Sequence, residues 1–230
     1  MARINGYTKK AFPLILFSFV LSSCALLGAF RSSQDEFNRG MALFNNSQYE
    51  EAIPYFERAA KDDPSFAQAY LYLGRSYLSL GRWKSAVPPL RTALRLSPAK
   101  FRAEVTSFLI DALFGLAISD FNKKDFRGTI STLREILALE PQSAKAKGEL
   151  VLALIGLGGV SLSEGQVKEA ISAYTEAIRV SPSSLAAYLG LARAFFKNGE
   201  PLKALQSIES AIRIDPTNQE ARSLLRELQR

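Results

Sequence analysis

The chain has no histidine and a single cysteine, Cys24, among its 230 residues. Without histidine there is no Ser-His-Asp triad, no Cys-His dyad and no imidazole metal site. A lone thiol closes no internal disulfide, so no covalent crosslink within the chain supports the fold. Paired carboxylates are few: Glu50–Glu51 and Asp62–Asp63 fall on expected helix surfaces or turns, with no shared cleft for acid–base work. Long basic runs are missing too. The 29 Lys and Arg against 22 Asp and Glu give +7, but the basic residues are scattered, which speaks against a nucleic-acid partner. Gly156–Leu157–Gly158–Gly159 has neither a preceding strand nor a following Lys-Ser/Thr, so it reads as close helix packing and not as a phosphate loop. These absences predict a protein that is not an enzyme and takes no cofactor and no metal.

What is present is a ladder of prolines at 64, 98, 141, 182 and 216. Twelve residues before each stands a small side chain (Ala52, Ala86, Thr129, Ala170, Ala204), and eight before stands a bulky one (Phe56, Leu90, Leu133, Tyr174, Ile208). Small residues let two helices approach, and the bulky ones fill the space between neighbouring hairpins. Gly81, Gly165 and Gly199 stand where a first helix must stop. The prolines end the second helix, because the ring clashes with the preceding turn. The best-preserved copy has Tyr70, Leu73, Gly74, Tyr77, Ala86, Leu90, Ala93 and Pro98. This resembles the tetratricopeptide repeat, a helix–turn–helix unit that stacks on its neighbours because it cannot bury its apolar face alone.

The resemblance implies an all-α, right-handed solenoid of about five helix–turn–helix repeats with a C-terminal capping helix. The repeats are expected at 33–66, 67–100, 101–143, 144–184 and 185–218, and the cap at 219–230. The proline spacings are 34, 43, 41 and 34, so the third and fourth copies carry 9 and 7 extra residues. The runs Ala99–Asn122 and Gln142–Ser163 read as long helical stretches, so both additions are expected to extend first helices. The alternative is tolerated loop length: Val105, Phe108 and Leu109 favour helix, whereas Lys145, Lys147 and Gly148 favour loop. In the last segment Ala221, Leu224, Leu225 and Leu228 share one face, as a cap requires.

The N-terminus speaks to location. Arg3, Lys9 and Lys10 precede an apolar stretch from Ala11 to Leu21, which reads as a secretory signal. The segment Leu21–Ser22–Ser23–Cys24 resembles a bacterial lipobox, which implies a lipoprotein signal peptide over 1–23, lipidation at Cys24 and a lipidated leader over 24–32. The rival is an uncleaved anchor, since Ala11–Phe30 carries no charge and is long enough to cross a bilayer. Either way the repeats lie outside the cytoplasmic membrane. Ala25 after the cysteine resembles the outer-membrane sorting class, giving a protein lipid-anchored to the outer membrane and facing the periplasm.

By the same family analogy the first helices line a partner-binding groove. Carried over position by position, the groove residues are Phe37, Met41, Phe44, Leu71, Arg75, Phe114, Ile118, Phe121, Ile155, Leu162, Arg193, Phe196 and Lys197. The groove is largely apolar and suits an amphipathic helix or extended hydrophobic peptide. The competing outcome is that these side chains pack on one another. The expectation is an interaction scaffold or adaptor in the bacterial envelope, serving an envelope protein or peptide connected with pilus secretins, outer-membrane assembly or peptidoglycan enzymes. The alternative is a carrier of a lipid or hydrophobic small molecule in the same groove.

Overall fold

A computed structural model describes residues 32–228, and every regular element among them is an α-helix. The secretory segment and Cys24 lie outside the described residues. Helix α1 covers residues 32–45. It is followed by α2 (Tyr49–Asp62), α3 (Ala67–Ser79), α4 (Trp83–Leu96), α5 (Ala99–Asn122), α6 (Phe126–Leu139), α7 (Ala144–Ser163), α8 (Val167–Val180), α9 (Leu185–Lys197), α10 (Pro201–Ile214) and α11 (Gln219–Leu228). The chain forms two compact units divided between Val105 and Thr106, with α5 running through the boundary. In unit 1, α3 packs on α2 and α4. In unit 2, α7 packs on α6, α8 and α9, α10 on α9, and α11 on α10. Helix–turn–helix pairs leaning on neighbouring pairs are the arrangement of an α-solenoid.

Local chemistry explains the hairpins. Ala52, Ala86, Ala170 and Ala204 have no exposed surface, and Phe56, Leu90 and Leu133 are fully enclosed above them. The approach is close at glycines of the first helices. A methyl group on Gly40 would stand 2.7 Å from the Phe56 ring, and one on Gly158 equally close to Tyr174. Each second helix ends two residues before one of the five prolines.

The turn inside each hairpin needs one residue in the left-handed region. Glycine takes it at Gly81 (φ +67°), Gly165 (+79°) and Gly199 (+75°). In the first and third copies Ser47 (φ 61°) and Lys124 (φ 62°) take it instead, at about 1–2 kcal/mol each for their Cβ. Nothing in the composition of those turns marked them, because the proline register alone locates them.

Both added stretches are helical, and α5 and α7 are 24 and 20 residues long. The residues that favoured a loop find places on α7. Lys145 sets its ammonium 4.2 Å from the Phe114 ring, and Lys147 donates to the Gln142 side-chain carbonyl. Ala146 and Leu150, on the same helix, are buried. By length and composition α7 could cross a membrane, with a mean hydropathy of 1.4; here it packs against α6, α8 and α9 of unit 2.

Candidate partner-binding groove

In unit 1 the first-helix residues turn inward. Phe37 is 8% exposed and Leu71 9%. The Phe37 ring lies 4.9 Å from Phe66, 5.7 Å from Phe56 and 5.6 Å from Tyr72. Phe44 meets Tyr72 edge-on at 5.2 Å and also touches Tyr49 and Phe56, while Met41 packs against the same cluster. The Arg75 guanidinium covers this group, 4.7 Å from the Tyr72 ring and 5.2 Å from Phe44. Rings linked in this way, each pair contributing about 0.5–1.5 kcal/mol beyond area burial, make a core and not an open groove.

Unit 2 treats the same repeat positions differently. Phe114 is half-buried under Lys145, and Phe121 lies edge-on to Phe126 at 5.4 Å. Ile155 and Leu162 pack against the cluster of Tyr174 and Leu191. Lys197 donates to the Leu162 backbone carbonyl at 2.9 Å, and Arg193 pairs with Glu220 at 2.9 Å. Ile118 remains 50% exposed and Phe196 48%; Leu152 on α7, at 53%, joins them. Two small cavities open on these helices. One of about 240 Å³ is bordered by Phe114, Ile118, Phe121 and Glu149, and one of about 190 Å³ by Arg193, Phe196 and Leu224.

One position accounts for the contrast. Counted back from the closing proline, the place of Tyr72, which plugs unit 1, is taken in the next three copies by Gly115, Gly156 and Gly190. Gly156 receives the Phe126 ring and Gly190 the Tyr174 ring, both from second helices. At these two places the space between hairpins is filled from the second-helix side, while Ile118, Leu152 and Phe196 stay exposed. Burial raises the Tyr174 hydroxyl above the ordinary tyrosine range, with Arg193 pulling the other way.

Cross-helix ion pairs fix the second helices of unit 2. Arg127 reaches Glu169 at 2.5 Å, and Arg134 reaches both Glu176 oxygens at 2.7 Å. The Glu169 carboxyl is held below its usual range by the hydrogen bond from Arg127, helped by Ser161. Among the described residues no cluster of three or more acidic or cysteine side chains is placed to hold a metal ion.

Sequence reasoning missed a larger cavity in unit 1, of about 460 Å³, at the start of α3 and α5. Its walls include Phe66, Leu71, Tyr72, Phe101 and Val105, with Asp63 and Glu104 also lining it. Of the expected groove residues only Leu71 takes part. The signal was the nine-residue addition before the third copy, which supplies Phe101, Glu104 and Val105.

Comparison with known proteins agrees with this architecture. Residues 37–100 and residues 161–228 each match the tetratricopeptide repeat family. Sperm-associated antigen 1 of Rattus norvegicus is 30% identical over 115 residues, which is 50% of this chain and 12% of that protein. Protein O-mannosyl-transferase TMTC3 of Homo sapiens is 27% identical over 148 residues, 62% of this chain and 16% of that protein. The chain therefore spans a small part of the length of these relatives. A TPR repeats protein from Bacteroides fragilis superposes with a TM-score of 0.59 at 14% identity, over 86% of this chain and 97% of that one, a likeness of fold.

Proposed function

Because this chain belongs to the tetratricopeptide repeat family, with repeats in both of its compact units, we propose that it is an interaction scaffold whose partner, a protein or peptide, docks on the first-helix face of unit 2. Tetratricopeptide repeats are typically non-catalytic scaffolds, and a binding role needs only a shaped apolar face with polar surroundings. The observation that carries the reading is the exposure of Ile118, Leu152 and Phe196, three large apolar side chains on the first helices of one unit. The lipobox-like Leu21–Ser22–Ser23–Cys24 supports a lipid anchor at Cys24, in the outer membrane with the repeats facing the periplasm, and so an envelope partner. Acyl chains at one cysteine would hold the scaffold near the lipid surface without a spanning helix.

Two experiments test this. A photo-crosslinking amino acid at Ile118, used in intact cells and read by mass spectrometry, should trap one defined envelope protein; crosslinks to no protein above background would overturn the scaffold reading. Cys24→Ala should release the protein from the membrane fraction, whereas firm retention would assign the apolar N-terminus as an uncleaved anchor. A second reading, carriage of a lipid or hydrophobic small molecule, is favoured by the cavity of about 460 Å³ with its walls of Phe66, Leu71, Tyr72 and Phe101. Lipid co-purifying with the delipidated repeat region would support it.

A further inference from the structure

The cavity bordered by α5 and α7 in unit 2 carries an unanswered charge. At several places elsewhere a glutamate facing a neighbouring helix is matched to arginine: Glu36 to Arg58, Glu50 to Arg82, Glu169 to Arg127, Glu176 to Arg134 and Glu220 to Arg193. Glu149 borders the cavity, and its carboxylate has no ion pair or hydrogen bond among the described residues. Asp111 on α5 is exposed and likewise unmatched. Lys145, one turn before Glu149, is engaged over the Phe114 ring.

The spacing repeats on both helices. Asp111, Phe114 and Ile118 follow at intervals of three and four on α5, and Glu149 and Leu152 at three on α7, so each helix presents a carboxylate beside an apolar stripe. The lining is mostly apolar: Leu133 and Ala117 are buried, the Thr129 hydroxyl already donates to the Asp125 backbone carbonyl at 2.8 Å, and Asn122 is the remaining polar side chain beside Glu149. A mostly apolar lining beside an unmatched carboxylate suits an aliphatic side chain next to a cation.

We propose that this cleft binds a basic amphipathic helix of a partner protein, inserting an aliphatic side chain by Ile118 and Phe121 and placing a lysine or arginine on Glu149. The inference rests on the docking face proposed above and adds the chemistry of the occupant. The whole chain carries +7, which repels a cationic peptide at a distance, so any preference for one must arise at a local acidic contact.

Two labelled amphipathic peptides of about 16 residues, one of leucine and lysine and one of leucine and glutamate, serve as probes against the full chain in fluorescence anisotropy. The cationic peptide should bind about tenfold tighter, the size expected for one charge-assisted hydrogen bond. Glu149→Gln should remove that preference while leaving the anionic peptide unaffected. Ile118→Asp, at a half-exposed position, should weaken both peptides with an unchanged circular dichroism spectrum. Equal binding of the two peptides, or a preference that survives Glu149→Gln, overturns the charge assignment; if Ile118→Asp still abolishes binding, the docking face stands without it. Binding untouched by Ile118→Asp, or no binding of either peptide, overturns both.

Discussion

Units 1 and 2 are built from the same repeat, yet Phe37 and Leu71 are buried on the first helices of one, Phe37 among rings, whereas Ile118, Leu152 and Phe196 stay exposed on those of the other. The buried pair belongs to the unit with Tyr72 on its first helix, and the exposed three to the unit with Gly115, Gly156 and Gly190 at the matching places. Tyr72 gathers Phe37, Phe44 and Phe56 into one cluster. Where glycine stands at 156 and 190, Phe126 and Tyr174 of the second helices take up the space. The space between hairpins can thus be filled from either helix layer, by Tyr72 in unit 1 and by Phe126 and Tyr174 in unit 2.

The sharpest way to break this contrast is to charge the same repeat position in each unit. Phe44→Asp enters the aromatic cluster of unit 1 and should destabilise the protein by about 3–5 kcal/mol, the cost of losing a packed aromatic. Phe196→Asp, twelfth in its own repeat like Phe44, is half-exposed and should cost under about 1 kcal/mol. Denaturant unfolding of the two variants decides it; equal losses would mean that Phe196 is no less packed than Phe44.

Next in size is Gly158→Ala, which puts a methyl against a Tyr174 ring already confined by Gly190. Overpacking of this kind should cost about 1–3 kcal/mol, seen as a lower Tm. Smaller and opposite in sign is Lys124→Gly in the turn of the third copy. Relieving a left-handed lysine should raise stability by about 1 kcal/mol, whereas the same substitution at Lys123 should not. A loss at Lys124 would show that the lysine side chain contributes more than its backbone strain removes.

The smallest effect concerns pH. The folded state lowers the Glu169 pKa, chiefly through the hydrogen bond from Arg127, so this pairing stabilises the fold above the carboxylate's unfolded value. That contribution disappears as pH falls through the folded value. The Tm gap between the native protein and Glu169→Gln should therefore be widest near neutrality and close between about pH 5 and pH 3. A gap constant across that range would remove the ion pair as a source of stability.

Much of this was legible before any coordinates. The proline ladder located the hairpin ends, and the small and bulky residues upstream of each proline identified the contacts at Ala52, Phe56, Ala170 and Tyr174. These are local signals, set by ring sterics and side-chain volume within one hairpin. The turns at Ser47 and Lys124 could be placed only by register, since neither residue type favours the conformation it adopts. The helical state of 144–150 ran against its lysines and glycine, because Phe114 and Gln142, distant or outside the stretch, decide where Lys145 and Lys147 go.

The groove residues show the same division. Family position put Phe37, Phe44, Ile118 and Phe196 on first helices, but said nothing about which of them a neighbouring hairpin would cover. By itself the sequence settled that this chain is a series of helical hairpins closed at the prolines, with no histidine and no second cysteine for an internal disulfide. Only tertiary packing decided that the rings of unit 1 cover one another while Ile118, Leu152 and Phe196 stay in water, and that Glu149 stands beside an apolar cleft. Helix ends depend on the residues that form them; exposure depends on a volume shared between hairpins, which no single repeat encodes.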